Sequence, residues 1–157
     1  MNKAHSNLTW NLANPINLLA LGFGSGLSAK APGTCGTLAA IPLFLLLSVL
    51  SAPIYALLVF LFAIAGIYIC SHAAKEANVH DHPAIVWDEF VGFFITMFMV
   101  PVSFVSILVG FVLFRIFDIV KPWPISFIDK KVHGGFGIML DDILAGFAAL
   151  GCMHLIF

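Results

Sequence analysis

The chain has 157 residues, of which 61% are hydrophobic and only 10% charged, and its mean hydropathy is +1.06. A soluble domain of this length is not so apolar, so the composition points to a single membrane-embedded domain over residues 1–157. The net charge of −1 and the absence of basic tracts exclude nucleic acid as a partner.

At the amino end, Met1–Pro15 has no apolar core followed by a small-residue cleavage site, so no signal peptide is expected, and residues 1–13 read as a flexible tail. Ile16–Leu27 is apolar but short and interrupted by Gly22, Gly24 and Gly26, which suits a re-entrant or interfacial segment better than a span. The stretch Ser28–Thr37 contains Pro32-Gly33-Thr34 and leads into a helix start. Glycines there let backbone N–H groups approach an anion, although an ordinary Pro-Gly turn accounts for the same residues. Cys35, Cys70 and Cys152 are far apart and odd in number, so they read as reduced core residues with no disulfide framework.

Leu38–Cys70 carries no charge over 33 residues. As one helix it would run about 50 Å, too long for a single crossing. Ser51-Ala52-Pro53 breaks it into a helical hairpin, Leu38–Leu50 and Ile54–His72, with Thr37 as the expected cap of the first helix. Asp81 and Pro83 suggest the cap and first turn of the next helix, which then runs through Asp88 and Glu89. Phe90–Phe114 is also free of charge, and Val100–Ser103 divides it into a second hairpin. Lys121-Pro122-Trp123-Pro124 stops the following helix, with Trp123 suited to a membrane interface. The last helix is expected over Ile138–Phe157, after Gly134-Gly135-Phe136-Gly137. The fold class is therefore all-α, a multi-pass membrane bundle of about five membrane helices plus the short N-terminal segment.

This threading leaves both turns on one side, 51–53 and 100–103, uncharged. All seven Lys and Arg residues (Lys3, Lys30, Lys75, Arg115, Lys121, Lys130 and Lys131) fall on the other side, which the positive-inside bias makes cytoplasmic. Asp88, Glu89, Asp118, Asp141 and Asp142 gather on that same side. Acids held at membrane depth are costly and mark a site, and their mutual repulsion calls for a cation. Oxygen ligands without thiolates favour a hard ion, Mg²⁺ before Zn²⁺. Arg115 and Asp118, like Asp118 and Lys121, are spaced i,i+3 on one helix face. A rim salt bridge and an acid that orients a cation toward an anionic substrate fit that spacing equally. His80-Asp81-His82 reads as a solvated loop, and His133 as a loop residue beside the glycines. One echo joins Val86–Phe93 to Met139–Phe147, each an acidic pair followed by glycine and phenylalanine. The glycine offset differs by one residue, so chance explains it as well as duplication does.

Absences narrow the chemistry. No Cys-x5-Arg loop and no Asp-x-Asp motif exists, and the chain has a single arginine, so phosphate handling falls to metal, lysine and backbone amides. A small ion or proton transporter would carry its acids midway along helices, lining a route across the bilayer. Here they fall at helix ends on one face.

Four motifs in order carry a resemblance from about residue 14 to the carboxyl end: Gly22–Ser28 with Pro32-Gly33-Thr34, Ile85–Gly92, Phe114–Asp118 with Lys121–Ile125, and Gly134–Gly146. Together they resemble the phosphatidylglycerophosphatase A family, with Ala29 departing from the proline expected in the first motif. The resemblance implies a bacterial inner-membrane enzyme that removes the terminal phosphate of phosphatidylglycerophosphate to give phosphatidylglycerol, using Mg²⁺, with its active site facing the cytoplasm. Glu89, Asp141 and Asp142 are then the expected Mg²⁺ ligands, with Asp88 in or beside that set. Lys121, Arg115, Lys30 and the Gly33 and Thr34 region would hold phosphate oxygens, and Asp118 would act as a base or further ligand. An attacking water and an aspartyl-phosphate intermediate both stay open.

Overall fold

The computed structural model describes residues 9–157, and among these every regular element is a helix, with no strand. A short helix α1 (Pro15–Ala20) and a 3₁₀ segment (Gly22–Leu27) precede α2 (Pro32–Leu47), α3 (Ala52–Ala77), α4 (Trp87–Thr96), α5 (Phe104–Val120), α6 (Ile125–Lys131) and α7 (Gly134–Ile156). By length and composition, α3 and α7 are long and apolar enough to cross a membrane, and α2 is a shorter apolar helix.

The breaks follow local chemistry. Pro53 lies in the first turn of α3, where its missing N–H costs nothing, and Asn78 ends the helix in the left-handed conformation. Ser103 and Ser106 form a reciprocal capping box at the start of α5, so the 90–114 run divides where the prolyl turn was expected. Two expected helix starts are corrected. Thr37 does not cap α2, because the helix already begins at Pro32, and the Thr37 hydroxyl donates to the Gly33 carbonyl inside it. Asp81 and Pro83 do not open α4, which begins at Trp87; the Ala84 amide bonds to Nδ1 of His82 instead of entering a helix. The sequence also gave no sign of α6, and α7 begins four residues before Ile138.

Helix α7 is the hub, packed against α3, α4, α5 and α6. Gly92 lies against Phe114 and Gly110 against Met97, so α4 and α5 run antiparallel. Gly135 meets Ser71, and the Tyr55 hydroxyl donates to the Phe94 carbonyl at the other end. The starts of α2, α4 and α7 therefore share one end of the bundle with the ends of α3 and α5. Lys30, Lys75, Arg115, Lys121, Lys130 and Lys131 all belong to that end; Lys3 lies outside the described residues. The opposite end, with the turns at 48–51 and 97–103, is uncharged.

The segment 16–27 folds back on the charged end. Asn17, fully buried, donates from Nδ2 to both carboxylate oxygens of Glu76 at 3.0 and 2.9 Å, and the Val86 amide donates to the Ala20 carbonyl at 2.8 Å. Of the tail expected over residues 1–13, residues 1–8 lie outside the described residues, while Trp10 packs edge-on against His82.

Candidate active site

Asp88 and Glu89 occupy the first turn of α4, where the helix dipole favours negative charge. Asp142 projects from the third turn of α7 toward them. One carboxylate oxygen from each of Asp88, Glu89 and Asp142 lies within 4.8 Å of the other two, and all three residues are buried. Asp88 Oδ1, Glu89 Oε2 and Asp142 Oδ2 have no hydrogen-bond partner. Three buried carboxylates with orphaned oxygens are a costly arrangement for the protein alone, and their all-oxygen donor set fits a hard divalent cation.

The site lies inside the bundle rather than on its outer edge. Asp142 is eight residues into α7, about 12 Å from its start. Trp87, which precedes Asp88, donates its indole N–H to the Phe62 carbonyl and abuts Gly66, near the middle of α3.

Arg115, late in α5, reaches the same place. Its Nη1 is 2.5 Å from Asp118 Oδ2 and 3.7 Å from Glu89 Oε1. The start of α2 closes the site from a third direction: a Cβ built on Gly33 would overlap Glu89 Oε1 and lie 3.0 and 3.2 Å from the Arg115 guanidinium nitrogens. Thr34 shares that first turn of α2, while Lys30 stands exposed in the loop before it.

Asp141 is placed apart from Asp142. Its Oδ2 takes the Lys121 ammonium, which also donates to Asp129 Oδ1 at 2.8 Å, and its Oδ1 accepts the Asp142 amide at 3.1 Å. Burial alone would depress the Lys121 pKa, but the bonds to Asp129 and Asp141 prevail and hold it above its ordinary value. The Lys121 hydrogen bond likewise holds the Asp129 carboxyl below its usual range. Lys121 adopts a left-handed backbone conformation that ends α5, and α6 then packs against α7. Asp129 was not singled out from the sequence, since it stands eight residues from its partner across a turn no periodicity marks. His80 and His133 meet edge-to-face at 4.9 Å and line, with Asp81, Asp129, Gly137 and Asp141, an open polar cavity of about 490 Å³ beside this pair.

The sequence is similar to known proteins. The profile of the family "Phosphatidylglycerophosphatase A" matches residues 18–157. The chain belongs to the phosphatidylglycerophosphatase A family. The phosphatidylglycerophosphatase A of Escherichia coli (strain K12) is 50% identical over 146 residues, covering 92% of this chain and 85% of the relative. That of Haemophilus influenzae is 50% identical over 142 residues, covering 89% and 87%. No solved structure matches the chain. All four motifs that carried the resemblance include residues at this one end of the bundle, where the buried carboxylates lie.

Proposed function

We propose that this chain hydrolyses the terminal phosphomonoester of phosphatidylglycerophosphate, a membrane phospholipid, releasing phosphatidylglycerol and inorganic phosphate. The observation that carries the reading is the trio Asp88, Glu89 and Asp142, three buried carboxylates each with an unpartnered oxygen, in a chain of a phosphatase family. Asp88, Glu89 and Asp142 would hold a divalent cation, Mg²⁺ by the hardness of the donor set. When bound, such an ion supplies charge neutralisation at the phosphoryl group and acidifies a water.

The chain's own groups divide the remaining work. Arg115, clamped by Asp118, presents its guanidinium beside the trio, where phosphate oxygens would come. Gly33 keeps the first turn of α2 close enough for its amide end to face the same oxygens. Lys121 supplies positive charge beside the cavity that its partners Asp141 and Asp129 line, and those two carboxylates fix its direction. Asp118 is the remaining carboxylate near the reacting group, suited to hold a proton or complete a ligand set.

The same reading sets the protein in the bilayer of the bacterial inner membrane as a multi-pass protein, with α2, α3, α4, α5 and α7 as its membrane helices. The charged end faces the cytoplasm, by the positive-inside bias. The test is phosphate release from phosphatidylglycerophosphate by the purified, folded chain, with Mg²⁺ and after chelation. Release that depends on Mg²⁺ is expected; no release under either condition overturns the reading.

A further inference from the structure

The echo between the two acidic stretches has a structural counterpart. Aligned on Asp88 and Asp142 rather than on the acidic pairs, both stretches carry glycine four residues on and phenylalanine five residues on: Asp88, Gly92, Phe93 and Asp142, Gly146, Phe147. Residues four apart share one helix face, so each glycine lies one turn below its aspartate on the face where α4 and α7 meet. At the two glycines the helix backbones come close together. A Cβ on Gly146 would come 2.6 Å from the Gly92 carbonyl oxygen and 3.2 Å from Gly92 Cα, and one on Gly92 would come 2.9 Å from the Asp142 carbonyl oxygen. One turn further on, Thr96 ties the crossing, its Oγ1 lying 2.9 Å from the Gly92 carbonyl and 3.5 Å from that of Gly146.

We propose that Gly92 and Gly146 are positioning residues for the candidate cation site: the backbone contact they permit sets the distance between Asp88 and Asp142. Helices with side chains at their crossing stand 8–10 Å apart, and small residues allow a closer approach. A methyl group at Gly146 meets the Gly92 backbone and must push α4 and α7 apart one turn below the carboxylates, whereas one at Gly92 meets the Phe114 ring of α5 first and the Asp142 carbonyl next. Glu89 remains near Asp88 on α4, whereas Asp142 is carried on the other helix, so the separation opens within the ligand set. This inference rests on the reading of Asp88, Glu89 and Asp142 as cation-holding groups.

The experiment is a titration of the detergent-purified full chain with Mn²⁺ as a spectroscopically visible hard cation, followed by electron paramagnetic resonance. Wild type binds Mn²⁺, and Gly146→Ala binds it more weakly by about tenfold or more, the scale at which a ligand's supporting contacts are felt. Gly151→Ala, on the same helix with nothing within 4 Å of the added methyl, keeps the wild-type affinity. A folded Gly146→Ala protein with unchanged Mn²⁺ affinity overturns the positioning role. If that variant does not fold, Thr96→Val, which removes only the tie below the crossing, carries the same test: weaker Mn²⁺ binding supports the inference and unaltered binding overturns it. A wild-type chain that takes up no Mn²⁺ removes the cation site itself, and the positioning role with it.

Discussion

Lys121 and Asp141 are joined between the end of α5 and the third turn of α7, and that ion pair parts Asp141 from its neighbour Asp142. Two adjacent carboxylates thereby take different duties. Asp142 faces Asp88 and Glu89, and Asp141 faces a lysine that also holds Asp129 on α6. The pair Asp141-Asp142, uniform in the sequence, becomes one acid that faces Asp88 and Glu89 and one acid that holds the Lys121 ammonium.

This division predicts unequal losses. Asp88→Asn, Glu89→Gln and Asp142→Asn each remove a carboxylate that the site needs, and each should lower kcat/KM for phosphate release by more than about 100-fold, beyond the usual effect of a supporting residue. Asp141→Asn keeps a group that can still accept from Lys121 and should cost about tenfold. The assay is phosphate release at saturating Mg²⁺ with folding checked by size exclusion. Asp141→Asn proving as damaging as Asp142→Asn would contradict the assignment.

The Lys121–Asp129 link predicts a particular pH behaviour. The Asp129 carboxyl is held below its ordinary value, so the stability it contributes is present above the unfolded pKa of about 3.9 and is lost only as pH falls through the lower folded value. Lys121 is held above its ordinary value, so its contribution is full below about 10.4 and fades only as pH rises beyond that. Asp129→Asn should therefore melt below wild type by a gap that is constant between about pH 5 and 9 and closes in acid. A gap that changes steadily across neutral pH would show that another group governs the link.

Much of the architecture was legible because charge and proline mark it. The uncharged turns, the break at 97–103 and the gathering of Lys and Arg at one end all follow from where a membrane-length helix tolerates charge. The motifs also gather at the end of the bundle where Asp88, Glu89 and Asp142 come together. The partition of the carboxylates was not legible, because it depends on rotation about α7 and on Lys121 reversing the chain so that α6 brings Asp129 back. Helix α6 itself was hidden by its seven-residue length and by two prolines just before it, which read as a stop. Asn17 and Glu76, 59 residues apart, pair through a fold-back that no local pattern announces.

Gly33 separates stability from activity. Alanine is the better helix former by up to about 1 kcal/mol, so Gly33→Ala has nothing to lose in the helix itself. Its methyl group, however, would overlap the Glu89 carboxylate and crowd Arg115, both of which are largely buried. The expected outcome is a thermal midpoint close to wild type with kcat/KM reduced by about tenfold or more. Full activity in Gly33→Ala would mean that the first turn of α2 does not border the reacting group.

The topology gives the last prediction. The turns at Ala52 and Ser103 both lie at the uncharged end, opposite Arg115, Lys121, Lys130 and Lys131. α4 has only 10 residues, about 15 Å, so it cannot cross a bilayer core of about 30 Å by itself. On the proposed topology its acidic start therefore lies below the level of the headgroups, in keeping with Trp87 meeting the middle of α3. Reporter fusions at Ala52 and Ser103 should both signal the periplasm, and one after Lys131 the cytoplasm. A cytoplasmic signal at Ser103 would instead require α4 and α5 to cross as one unit, and would place Lys75 and Lys121 on opposite sides of the membrane, against their shared end of the bundle.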